Sequence, residues 1–233
     1  MRSSNLRRKF NDLLKLIFGT GNDVEAYYDG TDMNLKTGLV NPSDLVLDCG
    51  TAKTLELTQA VWDDLRTPAN AVKLDSTNPP SSASYRDGSV LSFSKIQNQK
   101  IYFNVQVPHR YELGSDIEFH IHYVLPTGGS GAGAENVKWD FTYSWANIGD
   151  AFPASTPATA TIDVQNLSAD THYLGEIEDS MDGSGIDGVS SMLICSLERD
   201  TSVADNYDDV VYLLEVDFHY KSNTMGSRLE VAK

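Results

Sequence analysis

Residues 117–125 read Ile-Glu-Phe-His-Ile-His-Tyr-Val-Leu, and their alternation decides the fold class. Ile117, Phe119, Ile121, Tyr123 and Leu125 fall on one side of an extended chain, and Glu118, His120 and His122 on the other. A period of two marks a strand with one packed face and one wet face, whereas helical spacing would scatter the same apolar residues around the axis.

The pattern recurs on both sides of this stretch. In "KIYFNVQV" (100–107), Ile101, Phe103, Val105 and Val107 share a face. In "WDFTYSW" (139–145), Trp139, Phe141, Tyr143 and Trp145 do so, and in "VYLLEVDFHY" (211–220), Tyr212, Leu214, Val216, Phe218 and Tyr220. Weaker candidates are "SVLSF" (89–93), "ATATIDV" (158–164) and "SMLICSL" (191–197). Gly-, Pro- and Ser-rich stretches such as "STNPPSSAS" (76–84) and "PTGGSGAGAEN" (126–136) separate them and read as exposed loops. Together these features predict an all-β domain over 61–233, a jelly-roll-like antiparallel β-sandwich. Loops 76–84, 126–136 and 180–188 are the candidate contact surfaces.

Upstream the texture changes. Residues 21–60 alternate short β-prone pieces with turn signals and read as a β neck, including a hairpin, "EAYY-DG-TDMNLK", around Asp29-Gly30. Strands this short and polar do not make a core alone and predict intertwining with identical chains. Residues 4–18 carry Leu6, Phe10, Leu13, Leu14 and Ile17 at helical spacing, which predicts one amphipathic helix within an anchor segment, 1–20. That stripe is the candidate surface for anchoring and self-association.

The chain has 233 residues and a net charge of −15. Arg2, Arg7, Arg8, Lys9 and Lys15 stand against Asp12, so residues 1–20 carry +4 and the rest −19. A strongly acidic body repels phosphate backbones, which argues against a nucleic-acid partner. No apolar run approaches the ~20 residues of a membrane span. Cys49 and Cys195 make no disulfide framework and read as two buried thiols.

His120 and His122 are the candidate metal ligands. Their spacing after Gly114 resembles the first cupin motif, Gly-x5-His-x-His followed closely by Glu, which implies a metal-binding alternative. The Glu position, however, falls on Pro126 or Thr127, and no second motif follows. A scaffold role for the pair is the preferred reading. Trp139, Tyr143 and Trp145 read as core first and as candidate glycan-stacking residues second. The Asp-rich stretches "MDGSGIDG" and "ERDTSVADNYDD" lack the alternating ligand spacing of a calcium loop. Glu176, Glu178 and Asp179 cluster without a facing carboxylate partner, so a glycosidase pair is disfavoured. No phosphate loop, dinucleotide fingerprint or nucleophile elbow is present, and no enzyme activity or cofactor is expected.

Three stretches carry a family resemblance: "VWDDLR" (61–66); Pro108, His109, Tyr111, Gly114, Asp116, Ile117, His120 and His122; and Trp139, Tyr143, Trp145, Asn147, Ile148 and Gly149. They resemble a group of structural proteins from the virions of tailed bacteriophages and prophages, and the short β segments of 23–57 resemble fibre shafts and their attachment regions. The resemblance implies a virion protein made in the host cytoplasm and displayed on the particle as capsid decoration or a short head or tail fibre. The expected partners are itself, as a homotrimer, capsid or tail proteins, and a host-surface glycan. A glycan-binding adhesin is the alternative.

Overall fold

The computed structural model describes residues 16–18, 24–28, 33–37, 56–177, 180–227 and 229–230. The chain divides into two compact units, residues 1–53 and 54–233.

In the first unit, β1 (Leu16–Phe18), β2 (Val24–Tyr28) and β3 (Met33–Thr37) form a three-stranded antiparallel sheet with β2 in the middle. β2 and β3 pair from Val24↔Thr37 to Tyr28↔Met33, which is the expected hairpin. The expected helix does not run through 16–18. Ile17 pairs with Glu25 in β1, because extended backbone there gains ladder hydrogen bonds from the hairpin that an isolated last helical turn lacks. Leu6, Phe10, Leu13 and Leu14 lie outside the described residues.

The second unit is a two-layer antiparallel sandwich. Its strands are β4 (Glu56–Pro68), β5 (Lys73–Leu74), β6 (Ser81–Tyr85), β7 (Gly88–Phe93), β8 (Gln99–Gln106), β9 (Glu118–Val124), β10 (Asn136–Ala146), β11 (Thr156–Asp163), β12 (His172–Glu176), β13 (Met192–Arg199) and β14 (Val211–Thr224). One sheet has the order β11-β10-β13-β8-β5. The other runs β12-β9-β14-β7-β6, and β4 lies along the later part of β14. Among the described residues no helix is long and apolar enough to cross a membrane.

The predicted apolar faces make the core. Ile101, Phe103 and Val105 of β8, Phe119, Ile121 and Tyr123 of β9, and Trp139 and Phe141 of β10 are all buried. Phe119 and Phe141 stack across the two layers at 3.9 Å between ring centres and 6° between planes, with Phe103 and Phe218 packed around them. Each such ring contributes on the order of 1.5–3 kcal/mol by leaving water.

β14 departs from simple alternation. Leu213 lies opposite Tyr123 and Glu215 opposite His122, so β14 spends one extra residue there and bulges at Leu214. The buried set is therefore Val211, Leu213, Val216, Phe218 and Tyr220, while Tyr212 and Leu214 are only half-buried. The bulge fixes which side chains of β14 reach the outer face: Glu215, Asp217 and His219.

The loops are less free than their composition suggests. Residues 81–84 of the first belong to β6. In the third, Met181, Gly183 and Ile186 are buried, and Gly183 packs against the Ser115 carbonyl.

Candidate functional site

The outer face of β12-β9-β14-β4 gathers the polar side chains that alternate with the core. Register sets their rows. Glu176, His120, Asp217 and Arg66 lie side by side across the four strands, followed by Leu174, His122 and Glu215 in the next row. His219 is flanked by Glu118 and Asp64. Four of the chain's five histidines, His120, His122, His172 and His219, thus meet on one patch.

Asp217 is its centre. Its side chain is 3% exposed although it points away from the core, because imidazoles cover it. His122 Nε2 approaches its Oδ1 to 3.3 Å, and His219 Nε2 approaches its Oδ2 to 3.2 Å. His219 Nε2 is also 3.2 Å from Asp64 Oδ1, so one ring nitrogen sits between two carboxylates. Despite these approaches, Asp217 Oδ1 has no hydrogen-bond partner, and neither has the buried Nδ1 of His120 at 4.0 Å from it.

The neighbours orient these rings. His122 Nδ1 and His172 Nε2 share a hydrogen bond of 2.8 Å, which fixes the plane of the His122 ring. His120 meets His219 edge to face at 3.9 Å. Burial, and then the charge of His219, hold the His120 imidazole below its ordinary pKa. Glu215 is engaged separately, accepting from Arg66 Nε and Nη2 at 2.6 Å each. The patch lines a shallow cleft of about 350 Å³, bordered by Asp64, Arg66, His122, His172, Asp217 and His219.

The donor set is imidazole and carboxylate, which suits a proton or a borderline divalent ion. Three groupings bring one nitrogen or oxygen per residue within 4.8 Å of one another: Asp64/Asp217/His219, His122/Glu215/Asp217 and Glu118/His120/His219. The two ligands expected from the sequence, His120 and His122, are both here. Sequence reasoning missed His172, His219, Asp217 and Asp64, because only strand pairing brings them together from distant parts of the chain. One local signal was present: Glu215, Asp217 and His219 alternate along β14 as His120 and His122 do along β9.

The candidate stacking residues fall elsewhere. Trp139 is fully buried, edge-on to Phe93 at 5.0 Å, and offers no face to a sugar, which corrects that expectation. Tyr143 is half-buried and stacks on Phe141, and Trp145 is half-buried against Gly185. The Asp-rich stretches serve the fold: Asp200 accepts from Lys138 and Ser202, Asp205 from Arg199, and Asp182 from the Ser184 amide.

No family model matches the sequence, and no curated protein matches it. Among solved structures the chain is similar to TmCBM61, described in complex with β-1,4-galactotriose, at 8% identity over 68% of this chain and 88% of that one, with a TM-score of 0.30. A likeness that distant carries no argument about ligand.

Proposed function

We propose that the chain is a non-catalytic structural protein of a tailed-phage virion, exposing its sandwich on the particle as capsid decoration or a short fibre. The observation that carries this reading is the position of the residues behind the family resemblance. Most of them hold the body together. Trp139 fills the core. Gly114 turns the chain at φ +79°, where a side chain would be strained. Tyr111 is buried and donates to the Ser115 carbonyl. His109 bridges Ser190 and Ser227 through its two ring nitrogens. The resemblance thus rests largely on residues that maintain the sandwich, so the chain shares its framework with that group.

The acidic exterior supports the same reading, since like-charged surfaces resist aggregation when many copies crowd one particle. The first unit, residues 1–53, would supply the attachment.

Antibodies against residues 54–233 test the proposal. They should label intact particles made from the genome that encodes the chain, and light scattering of the pure protein should give about three times 25.6 kDa. Particles that lack the chain overturn the virion reading. A monomer in solution overturns the trimer.

A further inference from the structure

We propose that the outer face of β9, β14 and β4 binds one divalent transition-metal ion, with His219, Asp217 and Asp64 as its core ligands and His122 on the second oxygen of Asp217. This goes beyond a display role and does not depend on it.

The distances are those of co-ligands. A tetrahedral zinc site with bonds of about 2.0–2.1 Å sets neighbouring ligand atoms about 3.3 Å apart. His219 Nε2 lies 3.2 Å from Asp217 Oδ2 and 3.2 Å from Asp64 Oδ1, and His122 Nε2 lies 3.3 Å from Asp217 Oδ1. The orientation agrees. A ring nitrogen and a carboxylate oxygen that share a metal both aim at the metal, not at each other. On the His122 side, Asp217 Oδ1 has no hydrogen bond although His122 Nε2 is within range, so that oxygen is not committed to a neighbour.

Burial supplies a second, independent reason. A carboxylate with 3% exposure and an unpartnered oxygen is costly unless a cation faces it. His120, also buried, leaves Nδ1 unpartnered toward the same oxygen at 4.0 Å. Local charge favours a cation as well. Asp64, Glu118, Glu176, Glu215 and Asp217 crowd the face, and Arg66 is already held by Glu215.

The supporting ring is of the kind metal sites use. The hydrogen bond between His122 Nδ1 and His172 leaves His122 Nε2 directed into the cleft, as ligand nitrogens are directed in metalloproteins. Imidazoles beside carboxylates select zinc-like ions over calcium, which prefers oxygen alone.

The test uses the full chain without a histidine tag, stripped with chelator and titrated calorimetrically with Zn²⁺ and, separately, Ca²⁺. The expected result is one equivalent of Zn²⁺ bound, tighter than Ca²⁺, with a raised melting temperature. Asp64→Asn, at an exposed position, and His219→Gln should each weaken binding about tenfold or more. His109→Gln, outside the patch, should leave it unchanged. Absence of saturable Zn²⁺ binding, Zn²⁺ affinity no greater than Ca²⁺ affinity, or unchanged affinity in both Asp64→Asn and His219→Gln overturns the proposal.

Discussion

Arg199 holds both carboxylate oxygens of Asp205, Nε to Oδ2 at 2.8 Å and Nη2 to Oδ1 at 3.0 Å, with both side chains sealed from water. Arg199 ends β13 on its inward face, so its guanidinium enters the sandwich rather than solvent. There it also donates to the carbonyls of Phe93, Tyr207 and Asp209, which pins the loop after β13 to the ends of β13 and β7. Every donor of the fork is used. Replacing Arg199 by Leu leaves the buried Asp205 carboxylate only the Lys138 amide and Lys95 at 3.7 Å, takes a donor from three carbonyls, and should cost about 3–5 kcal/mol. Arg199→Lys should recover little, because an ammonium cannot reproduce the fork. Denaturant midpoints of the three proteins check this, and an Arg199→Leu protein within about 1 kcal/mol of the parent, roughly one-tenth of typical domain stability, would refute it.

Two glycines should differ sharply in their response to alanine. A Cβ on Gly183 would collide with the Ser115 carbonyl and the Tyr111 hydroxyl, which are themselves hydrogen-bonded. Backbone must move to admit it, so Gly183→Ala should lose about 1–3 kcal/mol. Gly133 has nothing within 4 Å of such a Cβ. Gly133→Ala should fall within about 0.5 kcal/mol of the parent, as surface substitutions do. Thermal melts of both variants decide the point.

The sandwich was legible because its signal is local. Alternation along β8, β9 and β10 names the buried residues without knowledge of the neighbours, since a strand's two faces differ at each step. The signal failed where one residue is out of step: at Leu214 the bulge changes the face, and β14 read straight through puts Tyr212 and Leu214 inside. β4 was missed as a strand, because "VWDDLR" puts charged residues where it lies beside β14 and its apolar content is low. The site was half legible for a related reason. His120 and His122 are two apart in sequence, but Asp64 reaches His219 only through strand pairing, which no spacing rule reports.

The edge between β4 and β14 should give the fold an acid-sensitive contact. Asp63 accepts from the Tyr220 hydroxyl at 2.7 Å and from Arg110 at 2.8 Å. The Tyr220 bond, with help from the Asp64 amide and Arg110, holds the Asp63 carboxyl below its ordinary pKa of 3.8. A depressed folded pKa means stability that is present above the unfolded value and lost as pH falls through the folded one. The contribution should therefore be complete at neutral pH and disappear below about pH 4. Water screens the half-exposed carboxylate, so the effect is small. Tyr220→Phe should flatten that acid limb while leaving stability above about pH 5 lowered by a constant amount. Urea midpoints between about pH 2.5 and 7 measure it, and parallel curves for the two proteins would count against it.

Cys195 should be chemically silent in the folded chain. It lies on the inward face of β13, opposite Phe103 and Tyr143 in the neighbouring strands, and is 2% exposed. Burial alone pushes its thiol well above the ordinary range, because a thiolate there would have no compensating charge. The thiolate is the reactive form, so a chromogenic disulfide reagent meets neither charge nor access. With Cys49 replaced by Ser, the native protein should release no chromophore over hours, and denaturant should release one equivalent. The residual native rate should track opening of the core, falling as added stabilisers raise the unfolding free energy. A fast reaction of the native chain at neutral pH, insensitive to stabiliser, would mean that β13 does not pack its inward face as described.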